Sequence, residues 1–154
     1  MVYNKIMENL IKNIVKDAEF LKDKYTDQKN IPVNYACIFC QSEEEQTNFL
    51  EKAYKLGPII QETPSGPLFK ISLDTVAGKL QLLKIRKLDP TRPERGDADF
   101  TVSNYPSFKE KYLNKPGFSL IQKENFEMIE LYEKGNNVRV YFSFPSLDKQ
   151  LNLI

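Results

Sequence analysis

The chain opens on a helical period. Ile6, Leu10, Ile14, Ala18 and Leu21 recur at three- and four-residue spacing, and Met7, Ile11 and Val15 widen the stripe. Lysines and acids fill the other side, so residues 3–25 are expected to form an amphipathic helix lying across a sheet. The charges on this helix are balanced, which argues against a membrane or partner-helix role. After a polar linker and Pro32 the period shortens, and 33–39 reads as a strand. Ser42 then offers a cap for free helix amides, with Glu45 completing a capping box. Phe49, Leu50, Ala53 and Tyr54 form the apolar face of the helix that follows, and Gly57-Pro58 ends it. Strands are expected over 59–62, 68–73 and 79–86, joined by turns at Thr63-Pro64-Ser65-Gly66 and Ala77-Gly78 as an antiparallel meander.

The same order then recurs. A strand over 97–102 precedes a short helix over 107–113 headed by Pro106, and strands follow over 117–122, 126–133 and 138–142. Turns at Lys123-Glu124-Asn125 and Gly135-Asn136-Asn137 separate them, and a tail carries Pro145 and Leu147. Strand, helix and three strands, twice, is an internal repeat of structure although the residues barely repeat. The fold class expected is α+β, with paired βαβββ modules forming a curved mixed sheet behind an N-terminal helical extension. The expected organisation is a helix over 1–30 and one domain over 31–154, with module one at 31–88, a connector at 89–96 and module two at 97–154.

Composition narrows the chemistry. At 154 residues, 41% hydrophobic and 28% charged, the chain is long enough to bury an ordinary core without disulfide staples. A net charge of +1 supplies no field to recruit nucleic acid or anionic membrane, and neither partner is expected. No run approaches a membrane span, and the first twenty residues carry acids and lysines unlike a secretory leader, so a cytoplasmic location is expected. Cys37 and Cys40 lie three apart on a strand and its exit, where their side chains face opposite ways. Both are expected as buried thiols.

There is no histidine. This excludes Ser-His-Asp and Cys-His nucleophilic machinery and every imidazole metal site. A metal would need Asp, Glu and carbonyl oxygens, which favour Mg, Mn or Ca over Zn.

The densest charge lies in KIRKLDPTRPERGDADF, residues 84–100. Pro90 and Pro93 stiffen its middle as a strap between modules, with Arg86, Arg92 and Arg95 expected to pair with Asp89, Glu94 and Asp97. The chemical interest falls on its ends. Lys84 and Arg86 close the first module, and Asp97 and Asp99 share one face of the strand opening the second. Asp99 with Glu130, joined by Glu62 or Asp97, would make an all-carboxylate site for a hard divalent cation. Without a cation, such buried acids need arginine partners. Alternation in VRVYFSF sends Val138, Val140 and Phe142 to the core and Arg139, Tyr141 and Ser143 to the other face.

The chain resembles the vicinal oxygen chelate (glyoxalase/dioxygenase-like) superfamily, and within it the YecM-like family. The resemblance is carried by the N-terminal helix with YACIF, by LGPIIQETPSGPLFKISL, by LQLLKIRKLDPTRPERGDADFTV and by VRVYFSFPSLDKQL, across most of residues 1–151. It implies a concave cradle in which histidines and a glutamate hold a metal. Here Asn34-Tyr35, Asp97-Ala98-Asp99 and Phe142-Ser143-Phe144-Pro145 stand in the histidine regions, and Glu130 stands where the superfamily often places a ligand glutamate. The family's turn arginine is also absent, since Ser65 precedes Gly66-Pro67. The expectation is a small-molecule-binding protein of unknown ligand that has lost its histidine metal site and need not be catalytic. Its candidate ligand-binding residues are Arg86, Asp97, Asp99, Glu62, Glu130, Arg139 and Tyr141. No metal or other cofactor is expected, the weak exception being Mg, Mn or Ca at Asp99 and Glu130. The alternatives are a cation-dependent isomerase, lyase or hydrolase using that carboxylate site, and a structural or interaction protein forming a homodimer.

Overall fold

The computed structural model describes residues 2–152, and side chains over 5–152. The last two residues assigned to module two, 153 and 154, lie outside the described residues. A long helix, α1 (Val2–Tyr25), leads into β1 (Val33–Phe39), α2 (Glu43–Leu56), β2 (Ile59–Thr63), β3 (Gly66–Thr75) and β4 (Gly78–Arg86). The second module repeats the order with β5 (Gly96–Phe100), α3 (Tyr105–Tyr112), β6 (Phe118–Gln122), β7 (Glu127–Leu131) and β8 (Val138–Phe144). A short α4 (Leu147–Gln150) forms from the tail, where no helix is expected from the sequence.

The strands make one eight-stranded mixed sheet in the order β2-β3-β4-β1-β5-β8-β7-β6. Within each module the first strand runs parallel to the last, β1 to β4 and β5 to β8. The modules meet where β1 and β5 pair antiparallel, so the first strand of each lies at the centre of the sheet. Every residue of β5 is buried. Gly96 opens that strand because nothing larger fits. A β-carbon there would stand 2.2 Å from the Cys37 carbonyl oxygen and 2.8 Å from the Ile14 side chain.

One face of the sheet carries the apolar core. Ala36 and Ile38 of β1, Ala98 and Phe100 of β5, and Val138, Val140 and Phe142 of β8 pack in one cluster with Met7, Ile11, Ile14, Val15, Ala18 and Leu21 of α1. The buried stripe of α1 is therefore rotated from the expected one. Met7 and Ile11 are at its centre, Leu10 is half-buried, and Ile6 is 48% exposed. A lysine also lies under the helix. Lys22 is fully buried, with its Nζ 2.7 Å from Asp23 Oδ1, bonded to the Gln28 carbonyl, and 5.2 Å from the centre of the Phe100 ring. The apolar stem fills the core while three oxygen and ring partners serve the ammonium.

Ser42 caps α2 by accepting the Glu45 amide at 3.0 Å. Glu45 reaches back to the Gln41 amide at 3.0 Å, one residue before the partner of an ideal capping box. Arg95 explains the offset, since its Nη1 holds the same Glu45 oxygen at 2.8 Å. The connector's pairing thus differs from the expected pattern. Arg86 pairs with Asp89 at 3.6 Å as expected, but Arg95 pairs with Glu45 and Glu94 with Arg139 at 2.7 Å. Arg92 lies over the Phe39 ring, 5.9 Å from its centre. Cys37 and Cys40 are free and buried. Cys40 belongs to the helix-side cluster, while Cys37 lies in register with Asp97 toward the other face.

Candidate ligand site

Residues paired across neighbouring strands project to the same face of a sheet. On the face away from α1, one row crosses six strands as Gln61, Leu68, Lys84, Cys37, Asp97 and Arg139. A second row runs Tyr35, Asp99, Tyr141, Glu130 and Ser119. The register thus brings together Asp97, Asp99, Glu130, Arg139 and Tyr141, with Arg86 two residues along β4 from Lys84. Glu62 does not join them. It is exposed on β2, between Gln61 and Thr63, which face the cradle.

The face divides into two halves. At one end ion pairs fill the space. Arg139 Nε donates to Glu94 Oε1 at 2.7 Å, its Nη1 contacts both Glu130 oxygens at 3.3 Å, and the Tyr141 hydroxyl donates to Glu130 Oε2 at 2.7 Å. The Arg139 guanidinium also lies over the Tyr132 ring at 4.4 Å. Arg86 covers Phe39 at 5.7 Å beside it. Asp97 Oδ1, Glu94 Oε2 and Arg86 Nε are buried there without a hydrogen-bond partner.

The other end is open. A cavity of about 660 Å³ has Tyr35, Lys84, Asp99 and Ser143 among its lining groups. Leu68, Phe126 and Met128 add apolar surface, and Pro145, Leu147 and Leu151 bring the C-terminal segment over it. Asp99 is 3% exposed. Its Oδ1 accepts the Ser143 backbone amide at 3.0 Å and its Oδ2 accepts the Ser143 hydroxyl. Asn34 Nδ2 lies 3.4 Å from Oδ1 and donates a better bond to Thr101 at 2.8 Å.

Burial governs the protonation of these groups. It pushes the Asp97 carboxyl up to about 8, aided by the charge of Asp99 and opposed by Arg86 and Lys84. Burial also pushes Asp99 up to about 6, and the hydrogen bonds from Ser143 restrain it. The Cys37 thiol and the Tyr35 hydroxyl are both driven up by burial, so each stays protonated at neutral pH. The Lys84 ammonium is moved down, again by burial.

The residues present do not fit the metal that the resemblance implies. Asp99 directs its oxygens to Ser143, and Glu130 is held by Arg139 and Tyr141. Among the described residues no group of three or more His, Cys, Asp or Glu side chains could hold a metal ion. A guanidinium stands against Glu130, the residue that the resemblance matches to a ligand glutamate.

Four contributors were not among the sequence candidates: Lys84, Tyr35, Ser143 and Met128. Lys84 had a readable signal, a lysine interrupting the apolar run LQLLKI two positions before Arg86. Met128 had none, because its partners come from distant strands.

No protein-family model matches the chain, and no curated protein matches it in sequence. The chain is similar to several solved structures. Protein EC4020, from structural genomics, is similar with a TM-score of 0.70 and 8% identity, over 93% of this chain and 88% of that one. A glyoxalase/bleomycin resistance protein/dioxygenase superfamily member from Vibrio splendidus 12B01 gives a TM-score of 0.47 and 10% identity, over 73% and 97% of the two chains. Methylmalonyl-CoA epimerase from Mycobacterium tuberculosis gives 0.44 and 11%, over 77% and 91%. The likeness to Protein EC4020 is one of fold, and the fold of this chain is the paired βαβββ architecture that the vicinal oxygen chelate resemblance implies.

Proposed function

We propose that this chain is a small-molecule-binding member of the vicinal oxygen chelate superfamily, related to the YecM-like family, whose ligand occupies the open half of the cradle without a metal. The observation that carries this reading is the cavity of about 660 Å³ over the polar row Tyr35, Asp99 and Ser143. Its volume suits a ligand of metabolite size, and a mostly apolar lining with a few convergent polar groups is the usual make-up of such sites. The loss of histidines removes the chelating chemistry but leaves the concavity, because the two modules still curve around it. Arg139 takes over the role of neutralising Glu130, so the closed half needs no cation to be stable.

Fragment screening by NMR on the intact chain tests the reading. Fragments are expected to shift amides of β5, β8 and the turn at 123–126, and Met128→Trp is expected to abolish their binding while the chain still melts cooperatively. Fragment binding that maps elsewhere, or that survives Met128→Trp, would overturn it.

A further inference from the structure

Among the described residues lining the cavity, Lys84 is a half-buried charged group whose hydrogen-bonding capacity is unused. Lys84 Nζ has no hydrogen bond and no ion pair with any described residue, although the lysine is half-buried on the central part of the sheet. Asp99, Arg86 and Arg139 each have at least one partner of their own. Asp99 is held by Ser143 through both oxygens. Arg86 pairs with Asp89 and lies on Phe39, and Arg139 is engaged by two glutamates. At the rim, Lys123 and Glu124 are exposed to solvent.

No carboxylate of the described residues lies within ion-pairing distance of Lys84. Asp97, two strands away in the same row, is the acid that acts on it electrostatically, and burial keeps that acid largely protonated at neutral pH. A half-buried ammonium with three donors and no acceptor among the described residues is left to solvent in the free chain and is available to an anionic ligand. Part of the surface around it is apolar, with Leu68 beside Lys84 on β3 and Phe126 and Met128 also lining the cavity.

Resting on the reading that the cavity is a ligand site, we infer that its ligand is an amphiphilic organic anion, with a carboxylate at the Lys84 ammonium and an apolar body against Leu68, Phe126 and Met128. The Tyr35 hydroxyl stands in the neighbouring row as a second donor for the same group. A single ammonium fits a singly charged carboxylate. A phosphate would call for the guanidinium forks, and in this fold those of Arg86, Arg92 and Arg139 lie at the closed half, against Phe39, Glu94 and Glu130.

The test is calorimetric titration of the intact chain with short and long phenylalkanoates, each against its own amide, and with phenyl phosphate. The carboxylates are expected to bind about tenfold or more tighter than the amides, as a charge-assisted hydrogen bond would give. Lys84→Gln is expected to erase that preference and Lys84→Arg to retain it. The wild-type comparison stands without either variant. Equal affinity for acid and amide, tighter binding of phenyl phosphate, or a preference that persists in Lys84→Gln would each overturn the inference. If neutral fragments enter the cavity and no carboxylate does, the anion assignment fails and the ligand site stands. If nothing enters it, both fail.

Discussion

Asp99 and Ser143 are joined twice across β5 and β8, through the Ser143 amide at 3.0 Å and through its hydroxyl. The pair lies off the direct register, since Asp99 is opposite Tyr141. A buried ionised carboxylate is thereby supplied with donors on both oxygens. Ser143→Ala removes one of them and is expected to cost about 1–3 kcal/mol, or roughly 2–4 °C of melting temperature per kcal/mol. The Ser143 bonds favour the ionised form of Asp99. The cost should therefore be largest above about pH 6, where Asp99 is charged, and should shrink in acid. Denaturant melts at both pH values check this, and an equal loss at each would contradict it.

Asp97 makes stability depend on pH in the opposite sense from a salt-bridged acid. Burial raises it from 3.8 to about 8 in the folded chain. Between those values the folded state keeps a proton that the unfolded state has released, so stability falls as pH rises through this window and the loss is complete above about 8. The groups facing it are Cys37 on β1, Lys84 and Arg86 on β4, Asp99 on its own strand, Arg92 of the connector, and Arg139 and Tyr141 on β8. Arg86, Lys84 and Arg92 lessen the shift, and Asp99 increases it. Asp97→Asn should flatten the curve of melting temperature against pH, keeping most of its acid-side stability at pH 8. Parallel curves for the wild type and the variant would rule this out.

The repeat of strand, helix and three strands was legible because each element follows local chemistry. Ser42 caps, Gly57-Pro58 stops, and Val138, Val140 and Phe142 alternate with Arg139, Tyr141 and Ser143. The site was legible as a face but not as a cavity. Period two puts Asp97, Asp99, Arg139 and Tyr141 on one side of the sheet, yet it cannot show that Arg139 closes one half by reaching Glu94 and Glu130. That depends on register between strands far apart in the chain. Lys22 shows a different limit. Four residues after Ala18 and eleven after Ile11 it falls on the buried stripe by helical spacing, and only its charge argues for the solvent side.

Arg139 and Glu94 form the least exposed ion pair of the closed half, with side chains 20% and 3% exposed. Removing one partner strands the other. Arg139→Met leaves Glu94 and Glu130 without their cation, and a loss of about 3–5 kcal/mol is expected. In the Arg139→Met, Glu94→Gln double variant part of that loss should return, because the more deeply buried of the two stranded charges is gone as well. A double-mutant cycle by chemical denaturation measures the coupling. Strictly additive losses would show that the two side chains act independently.

Magnesium, manganese and calcium are expected to leave the melting temperature of the wild type unchanged. Asp99 and Glu130 lie on β5 and β7 with β8 between them, so two strand spacings of about 4.8 Å each separate their backbones. Tyr141 stands in the gap and donates to Glu130, while Ser143 holds Asp99. Ligand oxygens must approach a calcium ion to about 2.3–2.6 Å from several sides, and a magnesium ion more closely still. Reaching that geometry would mean breaking both sets of hydrogen bonds and displacing Arg139 from Glu130. Asp99→Ala and Glu130→Ala should therefore lower stability by the same amount with millimolar cation as with chelator. A cation-induced rise in the wild type that vanishes in both variants would restore the carboxylate metal site and sink this account of the cradle.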